Sequence, residues 1–172
     1  MIQRVARLSV LALVAVAGCS STSSHGAADG SAGAAPGTIS GTVHGTKWTN
    51  LSNAYWIGKT SPGSPKVIVF LFEAPMDCAT LKNVNWDKTA LGEKQLLEIG
   101  VLETMTGSFQ IPKDASVAYL RGAYNPDADA GKVTIETIHP SKNLVGGFDV
   151  TFMGDALKGS FDAKYCADGV EP

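Results

Sequence analysis

The sequence predicts an all-β fold, an antiparallel β-sandwich or barrel-like meander with one short helix near residues 77–83, and three observations point to it. Short alternating or continuous apolar runs recur from Ile39 to the C-terminus, rich in the β-branched and aromatic residues that suit extended chain. Glycine, proline and asparagine punctuate them at short intervals. Near the end the chain writes almost the same phrase twice, Phe148-Asp149-Val150-Thr151-Phe152 and then Phe161-Asp162-Ala163-Lys164-Tyr165, as the two arms of a hairpin would.

Taken in order, Ile39 to Val43 alternates and is followed by a turn, His44 to Lys47, after which Trp48 opens a second extended stretch through Ile57, so the pair reads as a hairpin. Gly58 to Pro65 carries two glycines and two prolines and reads as a loop. Val67 to Phe72, "VIVFLF", is a continuous apolar run short enough to be a central strand covered on both faces. The helix is expected behind Pro75 and Met76, with Asp77 as its N-cap and Asn83 beyond its end. Strands follow at Gln95–Glu103, Gly107–Ile111 and Val117–Tyr124. The loop "NPDADAG" then leads into Val133–Ile138 and the repeated pair. Several short strands with one small helix favour a sandwich or barrel.

In the repeat, Phe148, Val150 and Phe152 share one face, as do Phe161, Ala163 and Tyr165, so Asp149, Thr151, Asp162 and Lys164 point the other way. The aromatic face is expected in the core. A turn centred on Asp155 and Ala156 would set Asp149 opposite Asp162, an unfavourable like-charge pair, and a two-residue shift would set it opposite Lys164. Two carboxylates on a flat strand lack the 6 to 8 oxygens that calcium collects, so the acidic side reads as solvated surface.

The first residues carry Arg4 and Arg7, then an apolar run from Leu8 to Ala17 broken only by Ser9, the pattern of a secretory signal peptide over residues 1–18. The run is too short to span a bilayer permanently. Val16-Ala17-Gly18-Cys19 resembles the lipobox of bacterial lipoproteins, which implies cleavage before Cys19 and diacylglycerol plus an N-acyl chain, such as palmitate, on that cysteine. Several chains on one residue suffice for a stable membrane anchor. Ser20 rather than Asp follows, which by analogy with lipoprotein sorting implies the outer membrane of a diderm cell envelope. Residues 19–37 then form a Ser/Gly/Ala tether without a large apolar residue, and it includes His25. The single domain spans 38–172.

Loss of residues 1–18, whose only charged side chains are Arg4 and Arg7, takes the formal charge from −2 to −4. No basic cluster remains, which excludes nucleic acid as a partner. With Cys19 lipidated, Cys78 and Cys166 remain as an even pair in an oxidising compartment and are expected to form a disulfide. A thiolate metal or redox pair is the competing reading, and no CxxC spacing supports it.

Four weaker sites can be named. Asn125, Asp127 and Asp129 alternate, with Glu136 beyond them, in a spacing close to a calcium loop, but the glycine at 131 falls one place late and the flanks read as strands. Trp48, Trp56 and Trp86 are candidates for a ligand surface against the ordinary alternative of core packing, with Trp86 the one expected to be exposed. Gly58-Lys59-Thr60 imitates the end of a phosphate-binding loop, yet Asn53 stands where a glycine is required. For catalysis there is no GxSxG and no free cysteine, and His44 and His139 have no nucleophile or acid at a recognisable offset.

The motif Gly41-Thr42-Val43-His44-Gly45-Thr46-Lys47-Trp48, Cys78, and Gly159-Ser160-Phe161-Asp162-Ala163 with Cys166 together resemble a group of uncharacterised bacterial outer-membrane lipoproteins with a lipobox, a Gly/Ala/Ser tether and one small β domain. The resemblance implies a lipid-anchored β fold with a bridged cysteine pair and implies no activity. The expected function is a non-catalytic domain presenting a binding or structural surface, without a cofactor, to an envelope protein, glycan or lipid. The alternatives are a lipocalin-like carrier of a small apolar ligand and, behind it, a hydrolase.

Overall fold

The computed structural model of the chain describes residues 35–58, 66–78, 81 and 92–166, all within one compact unit, Gly33–Pro172. The signal peptide 1–18, Cys19, the tether as far as residue 34, the loop 59–65 and Trp86 lie outside the described residues. Among the described residues ten strands run in the order β1 (Gly37–Val43), β2 (Thr46–Trp48), β3 (Asn53–Gly58), β4 (Val67–Phe72), β5 (Leu96–Val101), β6 (Gly107–Ile111), β7 (Ala115–Leu120), β8 (Ala130–His139), β9 (Asn143–Phe152) and β10 (Asp155–Tyr165). The fold is all-β.

The strands make one sheet with neighbours β6-β8-β9-β10-β3-β4-β5-β7, and β1 lies on β10 with β2 outside it. The two ends of that path, β6 and β7, are consecutive in sequence and joined by residues 112–114. The chain itself therefore carries the sheet from one edge to the other, and a barrel-like sheet results, nearly closed. Switching a bent strand between neighbours at a corner is a common way to close a sheet and remove its edges. All pairs are antiparallel except β10 with β3, where Lys164 faces Tyr55 and Tyr165 faces Trp56 in parallel. The expectation of a purely antiparallel sheet is corrected at that one seam.

The strand β4 follows its sequence closely: all six residues are buried. Val67, Val69 and Leu71 face the barrel interior, while Ile68, Phe70 and Phe72 join a second cluster outside it with Ile57, Leu81, Leu96, Leu120 and Cys166. The interior is filled with side chains, among them Trp48, Tyr119, Phe152, Phe161, Leu97 and Ile99, each under 2 % exposed. Outside, the segment after β4 is fastened by Met76 N–H to Asn53 Oδ1 (2.9 Å), Tyr55 O–H to the Met76 carbonyl (3.0 Å) and the disulfide Cys78–Cys166, whose Cα atoms are 5.7 Å apart. The bridge expected from the cysteine count is present. Of the helix expected over 77–83, the described residues show one bond, Leu81 N–H to the Asp77 carbonyl (3.3 Å), and residues 79–80 and 82–83 lie outside them. No helix among the described residues is long and apolar enough to cross a membrane.

Several boundaries differ from expectation for local reasons. The extended stretch from Trp48 to Ile57 is broken at 49–52, where the Trp48 indole N–H donates to the Asn50 carbonyl (2.6 Å) and the Ser52 hydroxyl to the Glu73 carbonyl (2.6 Å). The β1–β2 hairpin is thus only three residues deep, and β3 pairs with β4 and β10 instead. β7 stops at Leu120 because Arg121 and Tyr124 exchange both backbone hydrogen bonds around Gly122-Ala123. The last hairpin turns at Met153-Gly154, with φ of 50° and 96°, a two-residue turn of the kind whose twist suits adjoining strands. That register sets Asp149 opposite Lys158, neither of the two alternatives read from the sequence, and leaves Asp162 accepting from Asn143 Nδ2 (2.7 Å). The aromatic faces lie inward as expected. Phe161 faces Gly146 and Phe148 faces Gly159, so each ring covers a position where a Cβ would lie within 3.0 Å of it.

Candidate functional site

At one end of the barrel the β1–β2 turn and the Arg121–Tyr124 turn enclose a pocket of about 310 Å³, lined by Val43, His44, Thr46, Glu93, Tyr119 and residues 121–124. The volume lies at the lower end for small-ligand sites. Each wall follows from a local constraint. His44 and Gly45 form a two-residue turn with φ of 50° and 71°, a geometry that favours Asn, Asp or Gly at the first position. An imidazole there carries a cost of about 1–2 kcal/mol in backbone strain. The turn is tied to the tip of the neighbouring β9–β10 hairpin by Gly45 N–H to Asp155 Oδ2 (2.8 Å). The His44 ring lies against Tyr124, centroids 4.7 Å apart at 33°, and Tyr124 meets Tyr119 edge-on at 6.2 Å.

Arg121 spans the pocket wall. Its Nη1 donates to Thr46 Oγ1 (2.9 Å), its Nε to the Glu93 carbonyl (3.2 Å), and its Nη2 pairs with Glu93 Oε2 (3.1 Å). Below it the Tyr119 hydroxyl donates to Gln95 Oε1 (2.8 Å), and Gln95 Nε2 donates to Glu73 Oε1 (3.1 Å) and to the Lys47 carbonyl (3.3 Å). Gln95, at 3 % exposure, is the buried polar side chain beneath the pocket, and its amide is engaged on both sides. Burial pushes the Tyr119 hydroxyl up to about 12, with Arg121 pulling down and Glu73, Tyr124 and Glu93 pushing up. It is therefore a neutral hydrogen-bond donor, buried as the pocket's floor.

The candidates read from the sequence lie elsewhere or apart. Trp48 and Trp56 are buried in the interior cluster, at 0 % and 5 % exposure, so neither is a ligand surface; Trp86 lies outside the described residues. The fold does not bring the acidic loop and Glu136 together. The loop's backbone is absorbed into the barrel, with Tyr119 N–H donating to the Pro126 carbonyl (2.9 Å), Ala128 N–H to the Val117 carbonyl (2.8 Å) and Asp129 N–H to the Thr151 carbonyl (2.9 Å). Asp127 is bridged to Ala118, and the Asp129 carboxylate accepts from Met153 N–H. Asn125 stays at the entry of this strap, while Glu136 sits at an irregularity midway down β8, roughly 20 Å from Asp129 at strand rise. Gly131 is where a calcium loop does not want it because β9 passes so close that a Cβ would lie 2.3 Å from the Asp149 carbonyl. Among the described residues no group of three or more His, Cys, Asp or Glu side chains could hold a metal ion.

His44, in an exposed turn, and His139, at the exposed end of β8, lie at opposite ends of the fold, since β9 runs its full length between Asn143, opposite His139, and the tip beside Asp155. Of the pocket residues, His44 was visible in the sequence only as a turn residue. Arg121, Glu93, Thr46 and Tyr124 gave no signal, because they come from three stretches that meet only when the strands are paired. The one available hint was the placement of a bulky residue before Gly45 and before Gly154, where a tight hairpin prefers Asn or Asp. Comparison of the chain with protein-family models, with curated proteins and with solved structures finds no match in any of the three.

Proposed function

We propose that this chain is a lipid-anchored lipoprotein of the cell envelope, in the outer membrane of a diderm bacterium, whose barrel domain is a non-catalytic binding module with the His44–Arg121–Tyr124 pocket as its binding surface. The supporting observation is the course of β1. The chain enters the fold at Gly37 and reaches His44 just past the strand's other end, roughly 20 Å further on. An anchor on Cys19 would join the barrel at Gly37, the end of β1 away from His44 and the pocket. The disulfide agrees with export to an oxidising compartment. The packed interior leaves the carrier alternative without support, and the separation of the two histidines does the same for a hydrolase.

Metabolic labelling with an alkyne fatty acid, membrane fractionation and mass spectrometry of the mature N-terminal peptide test the reading. The expected product begins at Cys19, carries the mass of a diacylglyceryl and an N-acyl group, and sediments with membranes, and Cys19→Ala loses both the label and the sedimentation. A mature chain that begins elsewhere, or an unlabelled one, overturns the anchor.

A further inference from the structure

An arginine guanidinium has five N–H donors. In Arg121 three are committed, one each to the Glu93 carbonyl, Glu93 Oε2 and Thr46 Oγ1, which holds the group in one plane and leaves two for a bound molecule. Glu93 contributes an acceptor beside them: its Oε1 lies over Gly122, where a Cβ would be only 3.7 Å away. The Thr46 hydroxyl accepts from Arg121 and keeps its own hydrogen to donate. Donors and acceptors thus alternate along one wall. The other wall carries the His44–Tyr124 ring pair.

Charge narrows the ligand class. Glu93 offsets Arg121, Glu73 stands behind Gln95, and Asp155 sits under Gly45, between His44 and Thr46 in sequence. Among the lining residues one carboxylate, Glu93, offsets one guanidinium, Arg121, so the wall carries no excess charge that would favour an anion or a cation. An uncharged molecule with one apolar face and several adjacent hydroxyls satisfies both walls: its C–H face lies on an aromatic ring, and neighbouring hydroxyls accept from the guanidinium and donate to the carboxylate. We propose that this pocket binds a neutral sugar residue of a glycan. The inference rests on the reading of the domain as a binding module and names its ligand class.

The test uses the full chain purified in detergent and three neutral probes, the β1,4-linked trisaccharides of N-acetylglucosamine and of glucose and the α1,4-linked trisaccharide of glucose, with trigalacturonate as the acidic comparison. Calorimetry gives affinity, and the aromatic resonances of His44 and Tyr124 report the place. At least one neutral probe is expected to bind saturably and to shift both residues, and Tyr124→Ala to weaken it about tenfold or more. Arg121→Lys, which keeps the charge and loses the fork, is expected to weaken it about tenfold, and Glu93→Ala, which removes the acceptor at an exposed side chain and so leaves the core untouched, to weaken it as well. No binding of any neutral probe at about 10 mM overturns the proposal. So does binding that survives Tyr124→Ala in a folded protein, or trigalacturonate binding as tightly. A chain acylated at Cys19 that ignores every neutral probe sinks the sugar and spares the anchored reading; sugar binding by an unlipidated chain does the reverse.

Discussion

Removal of the Cys78–Cys166 bridge, as the Cys78→Ala/Cys166→Ala double variant or by reduction of the wild type, is the perturbation whose size follows most directly from the structure. The cysteines are 88 residues apart in sequence, and a cross-link over that span lowers the entropy of the unfolded chain by an amount worth about 4.5 kcal/mol in the chain-entropy model. Domains of this size are stable by about 5–15 kcal/mol, so the loss takes from about a third to nearly all of that margin. Cys166 is also packed, at 1 % exposure, against the outer cluster of Ile57, Ile68, Phe70 and Phe72, and truncating it to Ala adds a small cavity cost. Reduction keeps both sulfur atoms, so the difference between the two experiments isolates that packing part. Urea unfolding followed by tryptophan fluorescence, with and without reductant, measures both. The midpoint is expected to fall steeply and the urea dependence to steepen, because an uncross-linked denatured chain exposes more surface. A loss below about 1 kcal/mol with an unchanged slope would refute the argument that the bridge acts on the unfolded chain.

Gly159→Ala is expected to detach β1 from β10, because the new methyl would lie 2.2 Å from the Thr38 carbonyl and 2.9 Å from Phe148 Cζ. The expected cost is about 3 kcal/mol, with amide exchange accelerated at Thr38–Gly41, and protection unchanged there would contradict it. Tyr119 gives a pH dependence. Its folded value of about 12 stands above the ordinary 10, so the folded protein holds the proton more tightly, and the associated stability, roughly 2–3 kcal/mol, is complete below pH 10 and disappears as pH rises toward 12. Unfolding free energies for wild type and Tyr119→Phe are expected to run parallel below pH 10, and the wild type to lose stability relative to the variant above it; curves that stay parallel up to pH 12 would show that the hydroxyl is not buried as described.

Much of the fold is legible in the residues because the relevant forces are local. The alternation of Leu97, Ile99 and Val101 turns the same face inward in the barrel, and six apolar residues in a row at Val67–Phe72 give a strand buried on both faces. The repeated Phe148/Phe161 phrase is a hairpin for the same reason. Its register was not legible. Nothing in composition says that Met153-Gly154 rather than Asp155-Ala156 makes the turn, since the choice depends on a positive φ at Met153 that the neighbouring Asp129 carboxylate and the Phe-over-Gly pairs help to hold.

The same division holds for the site. Once Cys19 is read as the lipidation site, two cysteines remain, and that made the disulfide an expectation, because a pair of thiols in an oxidising compartment has few alternatives. Barrel closure is a different kind of fact, since it needs β6 and β7 to turn a corner, the acidic strap to lie along β7, and β10 to exchange β1 for β3 midway, all non-local pairings with no signature in any one window. The pocket exists only because of those pairings. Side-chain periodicity, which reports one neighbour face at a time, settles which residues are inside; the meeting of Thr46, Glu93, Arg121 and Tyr124 at one end of the barrel depends on how strands distant in sequence are paired, and only the folded chain decides it.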